Sequence, residues 1–227
     1  MYFYNEIKLL PHPIHKLIAQ GESQHLDFKF EISDALKIAR TLVAFANTDG
    51  GTLLIGVEDN GTITGIRSGE EIFMAETAAK KYCTPEIPIQ YKEWDVYGKN
   101  ILEATVFQGT NKPYFVVNKQ IKKAYIRMND QNIAANAILL SVWKKKSKNK
   151  GAFIRFSDSE KELLSFINTH PNTTLSAICK NIHLHRKKAE RLLTNFILTD
   201  SIEMLFSEKG VSFSIKNTND EREQRKR

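Results

Sequence analysis

The chain has 227 residues, a net charge of +7, 41% hydrophobic residues and 26% charged ones. That length admits one large domain or two modest ones, and the apolar content builds a core, which excludes wholesale disorder. Two distant cysteines exclude a disulfide framework and fit a reducing compartment, and apolar runs as short as Leu53–Ile55 and Ala137–Leu140 exclude the ~20-residue apolar stretch of a membrane helix.

In chain order, the first residues show no basic stretch followed by an apolar one, so no signal peptide is read and a cytoplasmic location is expected. Pro13 opens a short helix over residues 13–20. His25–Phe30 alternates as a strand. Ser33 caps a helix carrying Leu36, Ala39, Leu42, Val43 and Ala46, which Asp49-Gly50-Gly51 ends. Thr52–Val57 reads as a buried strand, and Asn60-Gly61 as a two-residue hairpin turn into a strand at 62–66. A helix over 69–82 follows, then strands at 87–94, 100–107 and 121–127, with no clear pattern at 110–119. A helix at 132–143 closes the first domain. Trp94, Tyr97 and the Phe residues are read as core or sheet-face packing.

The lysine run from Lys144 to Lys150 cannot form a core and is read as a basic linker, 144–152, between a domain at 1–143 and another at 153–216. Residues 217–227 read as a disordered tail. In the second domain, Ser157–Glu160 is a capping box opening a helix with Leu163, Leu164, Phe166 and Ile167 inward. Thr173 or Thr174 caps a second helix with Leu175, Ile178 and Ile182. A third begins near His185 with Ala189, Leu192, Leu193, Phe196 and Ile197 inward. Strands at 202–206 and 211–215 follow, joined by 207–210. Three helices and a hairpin in this order read as a winged helix-turn-helix.

Charge is uneven: residues 144–227 hold 18 Lys and Arg against 10 Asp and Glu, and residues 1–143 hold 15 against 16. A basic region beside a neutral one fits a binder of phosphate backbones. The third helix of a helix-turn-helix presents its N-terminal residues to base edges. Here those are Arg186, Lys187 and Lys188, with Arg191 one turn on, and Lys144, Lys145, Lys146 and Lys148 would add phosphate contacts. A solvated basic face on a protein-assembly module is the plainer alternative.

Three ordered motifs carry a resemblance: Glu22-Ser23-Gln24-His25-Leu26-Asp27-Phe28-Lys29, Ala44-Phe45-Ala46-Asn47-Thr48-Asp49-Gly50-Gly51 and Ile55-Gly56-Val57-Glu58-Asp59-Asn60-Gly61, with Lys123–Met128 as a closing strand. Over residues 10–140 this resembles the Schlafen-AlbA-type domain of bacterial regulators. The resemblance implies an α+β fold overall, a mixed α/β Schlafen-AlbA-like domain followed by the winged helix. It also implies nucleic-acid binding, with DNA as the leading partner and RNA as a second. The leading functional reading is therefore a DNA-binding transcriptional regulator, dimeric, needing no cofactor and no membrane.

Some members of this family cleave RNA through three acids, which map by position to Glu22, Asp27 and Asp59. Clustered carboxylates can hold Mg²⁺ or Mn²⁺ against a phosphodiester, and Lys29 could neutralise developing charge. An endoribonuclease is thus the alternative reading. Active vertebrate relatives have a duplicated domain and a Cys/His zinc site, whereas this sequence has one copy and no such zinc site. The backbone around Asn47, Gly50 and Gly51 is a candidate phosphate cradle. No G-x-x-x-x-G-K-[ST] is present to support a P-loop ATPase. Cys179, His183 and His185 lack a fourth ligand, and Ser23 with His25 forms no triad.

Overall fold

A computed structural model describes residues 12–66, 69–149, 151, 155 and 157–216. The chain is an α+β protein that divides into two compact units, Met1–Ala134 and Ala135–Arg227. The tail expected at 217–227 and Lys150 of the lysine run lie outside the described residues.

Unit 1 contains α1 (Pro13–Ile18), β1 (Leu26–Lys29), α2 (Ala35–Asn47), β2 (Gly51–Ile55), α3 (Glu70–Lys81), β3 (Cys83–Thr84), β4 (Ile89–Val96), β5 (Lys99–Val106), β6 (Phe115–Asn118), β7 (Ile121–Lys123), β8 (Tyr125–Met128) and β9 (Gln131–Ala134). A four-stranded sheet runs β1-β2-β5-β4, with β1 and β2 parallel and the other pairs antiparallel. Parallel β1 and β2 need a crossover, which α2 supplies. Side chains alternate across the sheet. Leu53, Ile55, Leu102, Ala104 and Val106 join the core under α2 and α3. Leu26, Phe28, Leu54 and Ile101 join a second core closed by Ile14 of α1. Burial on both faces explains why Leu53-Leu54-Ile55 is continuously apolar.

Local chemistry corrects several expected boundaries. Asp34 caps α2, not Ser33: its Oδ1 accepts from the Leu36 N–H at 2.8 Å. The hairpin expected after Asn60-Gly61 shrinks to one bridge, Val57 with Ile63. Asn60 Oδ1 accepts from the Thr62 N–H, and the chain then turns to bond Ile66 N–H to the Asn100 carbonyl. The strand expected at 121–127 breaks at Ala124, because β7 pairs with β6 while β8 pairs with β9. The unpatterned stretch 110–119 contains β6. The helix expected at 132–143 starts later, since β9 occupies 131–134 and Asn136 Oδ1 accepts from the Leu139 N–H at 2.8 Å.

Unit 2 contains α4 (Ala137–Ser147), α5 (Asp158–Thr169), β10 (Thr173–Thr174), α6 (Leu175–Asn181), α7 (Arg186–Leu198), β11 (Ile202–Ser207) and β12 (Gly210–Ile215). The linker expected at 144–152 is in part helical: Lys144, Lys145 and Lys146 form the last turn of α4, where cations complement the helix dipole. α4 packs against α7, and its Ile138 joins Leu163, Ile167, Ile178, Ala189, Leu193, Phe196 and Phe213 in one core. The capping box at α5 forms, with Glu160 accepting from the Ser157 N–H at 2.7 Å. These bonds hold the Glu160 carboxyl below its ordinary value, chiefly through Ser157. Thr174, not Thr173, caps α6, while Thr173 pairs with β12. The small sheet runs β10-β12-β11.

Candidate functional site

The motif residues of unit 1 meet around Asp27, on β1. Its side chain is 5% exposed and faces Arg127 of β8, whose side chain is 1% exposed, with Nη1 to Oδ1 at 3.0 Å. Arg127 spends its remaining donors locally: Nε donates to the Ser23 carbonyl, Nη2 to the Leu26 carbonyl and Nη1 to Asn132 Oδ1. Its guanidinium also sits 5.3 Å from the Phe45 ring centroid. Lys29 bridges two acids, 2.8 Å from Asp27 Oδ2 and 3.8 Å from Glu22 Oε1. Glu22 Oε1 accepts from the Phe28 N–H at 2.8 Å.

Glu22, Asp27 and Lys29 are therefore brought together. Asp59 lies in the turn beside Phe30, Glu58 and Asn60. Among the described residues no three His, Cys, Asp or Glu side chains are placed to hold a metal ion. Glu22, Asp27 and Asp59 thus do not form the carboxylate cluster that a Mg²⁺- or Mn²⁺-dependent nuclease needs. Arg127 pairs with Asp27 Oδ1, and Lys29 Nζ lies 2.8 Å from Oδ2, which is buried without a hydrogen bond, so two cations already balance this carboxylate. The residues present do not fit the ion.

The expected phosphate cradle also resolves into internal bonding. Asn47 is buried, and its amide donates to the Tyr114 and Tyr125 carbonyls, both at 2.9 Å, while Oδ1 accepts from the Tyr114 N–H. That uses both of its N–H donors, so none is left for an anion. The Gly50 N–H donates to the Phe45 carbonyl and so closes α2. Gly50 has φ +79, and a Cβ there would meet the Val106 carbonyl at 2.8 Å. At Gly51 a Cβ would sit 2.5 Å from the Phe45 ring. The close approach of Gly50 to Val106 of β5 and of Gly51 to the Phe45 ring accounts for both glycines.

The basic residues of unit 2 behave differently. Arg186, Lys187, Lys188 and Arg191 on α7 are all exposed. Arg186 pairs with Glu190 at 3.1 Å, and Lys188 reaches Ser159 Oγ at 2.6 Å. Ala189, Leu192, Leu193 and Phe196 fill the core side of the same helix. On the outer side of α7 Lys187, Lys188 and Arg191 are exposed, and the half-buried Glu190 lies beside them, paired with Arg186. On α4, Lys144, Lys146 and Lys148 are exposed, and Lys145 Nζ donates to Asn195 Oδ1 at 2.7 Å.

Sequence reasoning missed Arg127. It stands in the closing strand that carries part of the resemblance, but its partner Asp27 lies a hundred positions earlier, and nothing local announces the pair. It also missed Gln24, whose amide donates to the Arg127 carbonyl at 3.1 Å and whose oxygen accepts from the Asn129 N–H. Among the described residues no helix is long and apolar enough to cross a membrane.

Fold and site together define a two-unit α+β protein whose first unit is knitted by a buried acid–arginine pair. Residues 22–136, just over half of the chain, match the family described as Schlafen, AlbA_2, and the chain belongs to it. No curated protein matches the chain. Among solved structures it is similar to the DIP2311 protein of Corynebacterium diphtheriae at 15% identity and a TM-score of 0.45, over 88% of this chain. The chain spans 37% of that protein's length. It is also similar to the N-terminal domain of a RecG-related protein from Nitrosomonas europaea, at 25% identity and a TM-score of 0.39, covering 55% of this chain and 92% of that one.

Proposed function

We propose that the chain binds nucleic acid and acts as a DNA-binding transcriptional regulator in the cytoplasm, with unit 2 as a winged helix on duplex DNA. The observation that carries this reading is the outer side of α7, where Lys187, Lys188 and Arg191 stand exposed and the neighbouring Glu190 is held by Arg186. The family supports a nucleic-acid partner. The order α5, β10, α6, α7, β11, β12, with β10 and β11 flanking β12, supports the winged-helix reading. In that fold α7 enters the major groove. Arg186 adds a contact at the helix start, and Lys144, Lys145, Lys146 and Lys148 supply backbone contacts. Unit 1 would dimerise the protein so that two copies of α7 read a two-fold operator.

The nuclease reading has in its favour that Glu22, Asp27 and Lys29 converge, but Asp59 does not complete a metal-holding group with them among the described residues. Glu22 and Asp27 serve as anchors for Lys29, Arg127 and the β1 backbone.

The test is duplex binding by fluorescence anisotropy with Lys187, Lys188 and Arg191 replaced together by Ala. Exposed substitutions of this kind shift stability by no more than about 0.5 kcal/mol each, so the fold survives. Affinity should fall at least roughly tenfold at moderate salt, with a flatter salt dependence. Unchanged affinity would remove α7 from the interface.

A further inference from the structure

Unit 1 carries an aromatic surface that its sequence pattern did not mark as a site. Tyr97, expected to pack, is 71% exposed at the tip of the β4–β5 hairpin. Tyr97 and Gly98 form its two-residue turn with φ of +54 and +82, a conformation that favours Asn-Gly or Asp-Gly. A bulky ring in the left-handed region is unusual and is a reason to look for function. Asp95 Oδ1 holds the turn by accepting from the Gly98 N–H at 2.9 Å.

Four rings form a row across this surface. Trp94 meets His12 edge-on at 5.4 Å between centroids, His12 meets His15 at 6.4 Å, and His15 faces Tyr97 at 6.3 Å with planes 30° apart. An ammonium stands at each end. Lys92 Nζ lies 3.5 Å over the Trp94 ring. Lys99 Nζ donates to the Ile63 carbonyl at 2.7 Å, which fixes it at the mouth of the cleft with two donors left. The cleft is open, about 390 Å³, and lined by His15, Gly61, Ile63, Val96, Tyr97 and Lys99.

The spacing of the last two rings is informative. A planar base between two rings needs two van der Waals layers, about 7 Å in all. The His15 and Tyr97 centroids are 6.3 Å apart with planes tilted by 30°, so a base enters only with an outward shift of the Tyr97 ring, which is 71% exposed on the hairpin turn. We propose that this cleft takes an unpaired nucleobase of a single strand between His15 and Tyr97, with the neighbouring phosphate on Lys99. Rings that stack on any base, flanked by cations for the backbone, are the pattern of sequence-tolerant single-strand binding. The cleft belongs to unit 1 and α7 to unit 2, and the cleft takes a different ligand, unpaired rather than duplex.

The test uses the whole chain and a labelled oligothymidine of about 10 nucleotides, within the usual span of such sites. A strand of equal length without bases, the variants Tyr97→Ala and Tyr97→Phe, and free dTMP as competitor complete it. Tyr97→Ala should weaken oligothymidine binding roughly tenfold, the effect of losing one stacked base. Tyr97→Phe should retain affinity, the abasic strand should not distinguish the variants, and duplex binding should not change. Unaltered oligothymidine affinity in Tyr97→Ala would overturn the proposal, as would an equal loss on the abasic strand. Displacement of the strand by an equal concentration of dTMP would assign the cleft to free nucleotides and overturn the strand reading.

Discussion

The charged groups around Asp27 and those along α7 differ in what they face. Asp27, Arg127 and Asn47 are buried and bonded to one another or to the backbone of unit 1. Lys187, Lys188 and Arg191 stand in solvent above an apolar helix face. In the first set, Asp27 and Asn47 are residues whose types suggested chemistry, and the structure employs them as fasteners. The second set is chemically plain and remains open to a ligand. A buried polar group must find partners within the protein, because leaving one unpaired costs more than a bond returns. Residue type alone therefore misleads inside the fold and informs on its surface.

The contrast can be broken most sharply at Arg127. Arg127→Met leaves the Asp27 carboxylate buried with Lys29 alone, and removing one partner of such a pair costs about 3–5 kcal/mol. Urea unfolding should show that loss. The double variant Asp27→Leu/Arg127→Met should recover part of it, since the orphaned charge is gone. A neutral Arg127→Met would show that the network is not structural.

A smaller effect is expected at Asn47. Asn47→Ala strands two carbonyls and the Tyr114 N–H, which should cost about 2–3 kcal/mol. Thermal melting should register this while duplex affinity stays constant. A variant that melts normally but loses nucleic acid would return Asn47 to the interface.

The smallest effect sharpens the account of unit 2. The Glu160 carboxyl titrates below its ordinary value of 4.5 because Ser157 bonds to its charged form. A lowered acid stabilises the fold fully above its unfolded value and loses that contribution as pH falls through the lower folded one. The stability of unit 2 should therefore decline in acid below about pH 4.5. Glu160→Ala should remove that portion of the decline and about 1 kcal/mol at neutral pH. An identical acid profile in the variant would assign the sensitivity to other groups.

Most elements were legible because hydrophobic period and caps are local signals. The core face of α7, from Ala189 to Ile197, follows directly from helical spacing, and the capping box at Ser157 marks the start of α5. The break at Ala124 was not legible, since each half of 121–128 pairs with a partner chosen by the tertiary fold. Nor was α4's start, where Asn136 could cap a helix only once β9 had taken the residues before it. The Asp27–Arg127 pair joins two strands far apart in sequence, and a lone acid and a lone arginine carry no mark of each other. Tyr97 looked like packing because an aromatic residue in a strand pattern usually packs. Its neighbour Gly98 was the signal that it lies in a turn.

The central claim is that α7 presents an open phosphate-binding strip while the acids of unit 1 are structural. The most direct test is duplex affinity against salt for the native chain and for the Lys187→Ala/Lys188→Ala/Arg191→Ala variant. The account predicts that the logarithmic slope flattens by roughly 0.9 for each phosphate that is no longer neutralised, nearly three in all, while the melting temperature holds. Equal slopes and equal affinities would contradict it.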